Sequence, residues 1–227
     1  MLNINQSQSA SVSAIEGGSS PTMRRTTILF LFALQFPIAG WIFTGQSLSM
    51  LLGGECIYWG LTLLIIFYVL QFERRPLSSI GLTIPTWRSA VFGMFGAIIT
   101  VALMALIYLV VIPAFRLPAD EPQMATLTAL PIWFRCLLIA RAALFEEILY
   151  RGFAIERLTE LTGRRWLAAA LSVIAFTYMH LAYWGWTHLL IAAAGGLVFT
   201  TMYLWRRDLS MTITAHALTD IVGLILA

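Results

Sequence analysis

Long apolar segments separated by short polar breaks run along most of the chain and predict membrane-spanning helices. A transmembrane helix needs about 20 consecutive, predominantly apolar residues. Seven segments reach or approach that length, at residues 26–45, 50–71, 89–113, 132–155, 166–184, 186–205 and 209–226. The pattern therefore predicts an all-α fold, a polytopic transmembrane helix bundle with about seven spans.

The first part of the chain has a different composition. Residues 1–22 are polar and rich in Ser, Gln and Gly. A segment of this kind buries too little apolar surface to order itself, so we predict a disordered leader followed by the bundle at residues 23–227. Because Met23 directly precedes Arg24, Arg25 and the first apolar segment, translation from Met23 instead of Met1 is one hypothesis, which N-terminal sequencing tests.

Composition supports the assignment to a membrane. Hydrophobic residues make up 59% of the 227 residues and charged residues only 11%, and the mean hydropathy is +0.84. Soluble domains carry about 25% charged residues. All 14 positive charges are arginines, and most of them lie near predicted helix ends and not in one patch, so the net charge of +3 indicates membrane topology and no nucleic-acid partner.

The distribution of arginines predicts an orientation. If the segments alternate across the membrane, four arginine groups share one side: Arg24 and Arg25; Arg74, Arg75 and Arg88; Arg157, Arg164 and Arg165; and Arg206 and Arg207. Cytoplasmic loops carry the excess of positive charge. We therefore predict an integral protein of the bacterial cytoplasmic (inner) membrane, with a cytoplasmic N-terminus and a C-terminus outside.

Three ionisable residues, Glu146, Glu147 and Arg151, lie inside the predicted helix at 132–155. A charge at the bilayer centre costs about 2.5 kcal/mol or more, so such residues face a bundle interior or a wet cavity and indicate a functional site. Glu147 and Arg151 stand at i and i+4 with the acid first, the favourable order for an ion pair on one helix face. That pairing leaves Glu146 free to accept a proton as a general base.

Two later helices carry further ionisable motifs. Phe176-Thr-Tyr-Met-His180 ends one predicted helix, and His216-Ala-Leu-Thr-Asp220 lies within the last. His216 and Asp220 are again four residues apart, so they share one helix face. With the two glutamates and Arg151, most of the ionisable residues within the apolar segments therefore lie in the last four predicted helices.

Chain geometry predicts the depth of these residues. Glu146 and His180 each lie 17 positions from Gly163, which stands in the turn between their helices. At about 1.5 Å per residue, both side chains are predicted at the same depth, where an acid and an imidazole can share a water. His216 follows Arg207 by only nine residues, which predicts a position nearer the cytoplasmic side.

The remaining histidine and the two cysteines are predicted to be structural. His188 lies beside a Trp- and Tyr-rich connection and is interpreted as part of an interfacial region. Cys56 and Cys136 show neither a metal-ligand spacing nor a disulfide framework. Because free cysteines behave as small apolar residues, we predict that both are buried.

Missing motifs narrow the possible chemistry. The chain has no His-Glu-x-x-His zinc motif and no Gly-x-Ser-x-Gly nucleophile motif. What remains is water activated by carboxylate and imidazole. Glu146, His180 and His216 could bind a divalent metal such as zinc with an open fourth position. Alternatively, without a metal, Glu146 and His180 activate water directly while His216 and Asp220 stabilise the oxyanion; both schemes are equally open.

Three motifs in this order on late helices resemble a known family. They are Glu146-Glu147-x-x-x-Arg151, Phe176-x-x-x-His180 and His216-x-x-x-Asp220. The chain is similar through them to the CPBP family of CAAX-protease and bacteriocin-processing (Abi) intramembrane endopeptidases, which includes the type II CAAX prenyl endopeptidases. The similarity covers about residues 132–224.

The resemblance implies a role for each motif residue. Glu146 and His180 would activate the attacking water, and His216 and Asp220 would bind the oxyanion. Glu147, Arg151 and Phe176 would support them. Family members are described both as metalloproteases and as metal-independent glutamate proteases. Prenyl-protein members typically have Asn at the position of Asp220, which leaves the contribution of this residue to be tested.

The leading hypothesis is an intramembrane endopeptidase that acts on a peptide or lipidated-protein substrate in the lipid bilayer, in CAAX-type or bacteriocin-type processing. Two other classes stay open. One is a proton-coupled small membrane transporter that uses the same charged cluster. The chain shows no inverted repeats, which counts against it. The other is a non-catalytic immunity or scaffold membrane protein.

Overall fold

The computed structural model describes residues 47–118 and 121–226, and helices dominate both stretches. The helices are α1, Leu48–Phe72; α2, Trp87–Phe115; α3, Glu121–Thr128; α4, consisting of Ile132–Glu146, Glu147–Ala154 and Ile155–Thr162; α5, Arg165–Met179; α6, Leu181–Trp184; α7, His188–Arg206; and α8, Leu209–Leu226. A 3₁₀ turn, Leu77–Ile80, lies in the loop between α1 and α2. Within these stretches there is no strand, and the predicted all-α class is confirmed.

The spans agree broadly with the prediction. Among the described residues, five segments are long and apolar enough to cross a membrane by length and composition: Leu48–Phe72, Trp87–Phe115, Arg165–Trp184, His188–Arg206 and Leu209–Leu226. The segment predicted at 132–155 is also helical and continues to Thr162 as α4. The predicted span at 26–45, the leader at 1–22 and the alternative start at Met23 lie outside the described residues.

Helix α4 changes its winding where the charged motif begins. Its middle part, Glu147–Ala154, is a π-helix that starts directly after Glu146. Such wide turns are rare and are frequently found at functional sites. All eight residues of this segment are buried, including Glu147 and Arg151. The π-helical segment therefore lies wholly inside the bundle.

Helices α4 and α8 run antiparallel, and their register corrects one expectation. Three contacts define it: Arg207 with Glu156 at 2.6 Å, His216 with Glu147 at 2.9 Å, and Arg135 with the carbonyl of Leu224 at 2.7 Å. The predicted position of His216 nearer the cytoplasmic side is wrong relative to the glutamates. Glu147 lies nine residues from Glu156, and His216 lies nine residues from Arg207, the partner of Glu156. Glu147 and His216 therefore reach the same depth.

The arginine-bearing connections lie at one end of the described bundle. Arg157 of α4 forms a buried ion pair with Glu73, which follows α1, at 2.5 Å. Asp208, in the connection to α8, accepts a hydrogen bond from Ser89 at the start of α2. These contacts agree with a common side for the charged loops, while the orientation toward the cytoplasm stays a prediction.

The prediction that both cysteines are buried is wrong. Cys56 and Cys136 are exposed on the bundle surface. An apolar segment does not distinguish an interior face from a lipid-facing one, because lipid tails are as apolar as a protein core. Neither cysteine has a disulfide partner within the described residues.

Close packing of α4 against the loop after α1 depends on Gly152. A Cβ added there would lie 2.7 Å from the carbonyl oxygen of Ile80 and 2.9 Å from Leu209 Cδ1. We expect Gly152→Ala to lower the free energy of unfolding by about 1–3 kcal/mol, because the backbone of Ile80 has to move. Thermal unfolding in detergent measures the loss.

Gly60 of α1 provides the matched control, since a Cβ there meets nothing within 4 Å. Gly60→Ala is expected to leave stability unchanged or to raise it by up to about 1 kcal/mol through helix propensity. Equal losses in the two variants would contradict the packing argument.

Candidate active site

The charged pair predicted on α4 exists and holds a histidine as well. Arg151 Nη1 donates to Glu147 Oε1 at 2.9 Å, and both side chains have no exposed surface. The same carboxylate oxygen lies 2.9 Å from Nδ1 of His216 on α8. Because a carboxylate only accepts, Nδ1 carries the proton in this contact, and Nε2 points away from the pair.

Aromatic rings enclose the Arg151 guanidinium. Its central carbon lies 4.1 Å from the centroid of the Phe176 ring and 5.5 Å from that of Phe199. Nη2 donates to the carbonyl of Gly196 at 3.3 Å. A cation buried in this way is stabilised by ring faces and hydrogen bonds as well as by its carboxylate. Phe176, the first residue of the second motif, therefore helps to hold the ion pair.

Glu146 lies beside this network without joining it by a hydrogen bond. Its Oε2 atom is buried, has no hydrogen-bond partner within the described residues and faces His216 Nε2 at 3.9 Å. Its Oε1 atom faces Arg141 Nη1, also at 3.9 Å. A buried polar atom of this kind requires an explanation, and a bound water or substrate group is one.

Asp220 completes the polar surroundings of His216. Its Oδ2 atom lies 3.6 Å from Nε2, the ring nitrogen that also faces Glu146. The imidazole ring itself stacks on Phe199, with the ring centroids 5.1 Å apart. One nitrogen of His216 is thus fixed by Glu147, while the other is shared between two carboxylates that do not hydrogen-bond to it.

His180 lies at the end of α5 and is oriented by its own helix. Its Nδ1 atom is 2.7 Å from the carbonyl oxygen of Phe176. Since a carbonyl only accepts, Nδ1 donates, and a neutral His180 keeps Nε2 as an acceptor. The ring lies 6.1 Å from His188, which stacks on Trp184 at 4.3 Å. The aromatic connection predicted to be interfacial thus packs beside the site.

The structure brings together only some of the predicted site residues. Glu146, His216 and Asp220 meet around one ring nitrogen, whereas no hydrogen bond or ion pair joins His180 to Glu146 within the described chain. His180 does interact electrostatically with Asp220. The water shared by Glu146 and His180 stays a prediction.

The metal site predicted from the sequence requires three side chains to converge on one ion. In the part of the chain that the structure describes, no group of three or more His, Cys, Asp or Glu side chains is arranged to hold a metal ion. The set of Glu146, His180 and His216 is not gathered around one point. The use of a metal stays a prediction.

Two residues near Glu146 were missed by the sequence analysis. Arg141, five residues earlier on α4, lies over the ring of Tyr58 at 4.6 Å. Its guanidinium forms a bidentate pair with Glu55 of α1. The sequence signal was present, because Glu55 and Arg141 are charges inside apolar segments. Their pairing was not visible, since it joins positions 86 residues apart.

Comparison with known protein families gives a match to the second half of the chain. Residues 126–222 match the model of the family described as type II CAAX prenyl endopeptidase Rce1-like. No curated protein and no solved structure matches the chain. The matched range contains all three motifs and nearly coincides with the range of 132–224 predicted from them. The family predicted from the motifs is confirmed.

Proposed function

The chain belongs, through its residues 126–222, to the family of CAAX proteases, and on this premise we propose that it is a hydrolase that cleaves peptide bonds within the membrane. Its substrates would be prenylated or otherwise membrane-associated proteins and peptides. In this proposal Glu146 and His180 activate water, His216 binds the oxyanion, and Asp220 supports the positive charge of His216.

The observation that carries the proposal is the position of Glu146 Oε2 beside His216 Nε2. Glu146 Oε2 has no partner within the described residues and lies 3.9 Å from His216 Nε2. Two atoms at this separation can both contact one water or one carbonyl oxygen beside them at hydrogen-bond distance, about 2.8 Å. A carboxylate and an imidazole at such a point are the groups required for hydrolysis by an activated water.

The proposed reaction assigns each proton. Glu146 takes a proton from water, whose oxygen attacks the peptide carbonyl carbon. The Nε2 acceptor of His180 receives the hydrogen bond from the other water hydrogen. Collapse of the tetrahedral intermediate breaks the C–N bond, and the proton on Glu146 passes to the leaving nitrogen.

His216 has to donate to the oxyanion, so the proposal requires its imidazolium form. Glu147 Oε1 accepts from Nδ1 at 2.9 Å, which fixes the ring with Nε2 toward the site. The three carboxylates of Glu146, Glu147 and Asp220 offset the positive charge. A charged donor that is already in place stabilises the developing oxyanion without reorganisation.

Hydrolysis by the purified protein in lipid nanodiscs tests the proposal. The substrate is an internally quenched, prenylated peptide that ends in a CAAX sequence, and mass spectrometry identifies the cleaved bond. Proteoliposomes with an imposed pH gradient test the transporter alternative. Cleavage at one bond supports the protease. Uptake of a solute into the proteoliposomes that depends on the pH gradient, without peptide cleavage, supports the transporter.

Asp220 differs from Asn, the residue typical of prenyl-protein members, and the difference is testable. An ionised Asp only accepts hydrogen bonds, whereas an Asn amide can donate to the oxyanion. We expect Asp220→Asn to raise kcat by roughly tenfold, less than the 10²–10³-fold attributed to a full oxyanion donor. Steady-state kinetics with the same peptide measures the change.

Asp220→Leu is the comparison variant, because it removes the charge without adding a donor. We expect it to lower kcat. If Asp220→Asn lowered kcat as much as Asp220→Leu, the negative charge beside His216 would be the contribution of this residue, and the donor argument would be wrong.

A further inference from the structure

Glu55 and Arg141 form an ion pair between α1 and α4 that the proposed reaction does not use. Arg141 Nε lies 3.1 Å and 3.2 Å from the two oxygens of Glu55, and Nη2 lies 3.0 Å from Oε1. The exposed fractions of the side chains are 13% for Arg141 and 7% for Glu55. A bidentate pair with little exposure fixes the plane of the guanidinium.

The remaining nitrogen of this guanidinium faces the proposed base. Arg141 Nη1 lies 3.9 Å from Glu146 Oε1, within the range of an ion pair but beyond that of a hydrogen bond. The cation therefore attracts one oxygen of Glu146 without occupying its lone pairs. The other oxygen, Oε2, is directed toward His216. The two carboxylate oxygens are thus assigned to different partners.

The charges around Glu146 show why a fixed cation matters there. Titratable groups near it include Arg141 and Tyr150 on α4, Tyr58 on α1, and His216 and Asp220 on α8. Glu147 directly follows it in the chain. Arg151, the other buried cation of the site, is already paired with Glu147. Without Arg141, the carboxylate of Glu146 would be repelled by that of Asp220 with no cation on its opposite side.

We propose that Arg141, fixed by Glu55, is a positioning residue that turns Glu146 Oε2 toward His216 and the reacting water. The inference rests on the proposed function, since it assigns the role to a step of hydrolysis. It extends the site beyond the matched range of 126–222 to α1, because Glu55 lies on the first described helix.

Variants of the full chain in nanodiscs, tested with the prenylated CAAX peptide, separate positioning from structure. Arg141→Met is expected to lower kcat roughly 100-fold with KM nearly unchanged, the scale of a misplacement of a catalytic group by about 1 Å. Arg141→Lys keeps the charge but not the bidentate geometry, and it is expected to recover only part of the activity. Arg88→Met, which removes an exposed arginine on α2, is the matched control and is expected to match the wild type.

The double variant Glu55→Gln with Arg141→Met distinguishes the two roles most clearly. If the pair serves only to join α1 to α4, removing both charges relieves the unpaired carboxylate, and activity returns. If Arg141 positions Glu146, the double variant stays as slow as Arg141→Met, which is the expected result. Recovery of activity, an unchanged kcat in Arg141→Met, or a rise in KM alone would overturn the proposal; the last would assign Arg141 to substrate binding.

A double-mutant cycle of thermal stability, the thermal cycle, tests the contact independently of hydrolysis. It compares the melting temperatures of the wild type, Arg141→Met, Glu146→Gln and the variant with both changes. Coupled residues give shifts that do not add, which is the expected result. Additive shifts would overturn the inference. If the wild type fails to cleave the peptide, the proposed function fails, whereas the thermal cycle still decides whether Arg141 acts on Glu146.

Discussion

Glu146→Gln is expected to remove most peptide hydrolysis while the protein stays folded. The amide keeps the shape of the side chain but cannot take a proton from water. General-base catalysis contributes about 10²–10⁴-fold, so kcat is expected to fall by that factor. Oε2 of Glu146 has no hydrogen-bond partner within the described residues, and the change should therefore leave the melting temperature nearly unchanged. Steady-state kinetics and a thermal melt measure both quantities.

His180→Ala is expected to lower kcat similarly, because the Nε2 acceptor left free by the contact with Phe176 is lost. Cys136→Ala is the control, since this cysteine is exposed on the bundle surface and lies on the same helix as Glu146. Wild-type activity in both Glu146→Gln and His180→Ala would refute the assignment of these residues. Loss of activity in Cys136→Ala would indicate damage unrelated to the site.

The largest effect on stability is expected for Arg151→Met. Glu147 and Arg151 have no exposed surface, and removal of one partner leaves a carboxylate buried with its charge only partly compensated by His216. Breaking a buried pair in this way costs about 3–5 kcal/mol. The loss of the guanidinium between Phe176 and Phe199 adds to it. Equilibrium unfolding in detergent micelles measures the change.

Arg75→Met is the matched control for this change. Arg75 pairs with Glu160, but the exposed fractions of the two side chains are 31% and 39%. An exposed ion pair contributes about 0–1 kcal/mol, because water and salt screen the charges. Similar losses in Arg75→Met and Arg151→Met would contradict the view that burial determines the cost.

The helices and one ion pair followed from local sequence. Apolar segments of spanning length predict helices, because a helix satisfies its backbone N–H and C=O groups within the segment itself. The pair of Glu147 and Arg151 follows from their spacing of four residues, which holds on any helix. The turn at Gly163 has a left-handed backbone, φ 68°, which glycine adopts without strain.

Predictions across helices were less complete, because depth depends on where each helix begins in the bundle. The level of α8 depends on the contact of Arg207 with Glu156, which lies nine residues beyond Glu147. His216 consequently contacts Glu147 on α4, in addition to Asp220 on its own helix. The exposure of Cys136 was equally invisible, since a lipid-facing and a protein-facing position have the same apolar neighbours in sequence.

The sequence by itself determined the all-α class, the approximate spans, the family and the residues that carry charge into the apolar helices, because these depend on composition and on spacing within one helix. Only the tertiary structure decided the partners. It gave Glu147 a second partner in His216, and it brought Glu55 to Arg141 from 86 residues away. Contacts between helices are set by packing and register, which no local pattern encodes.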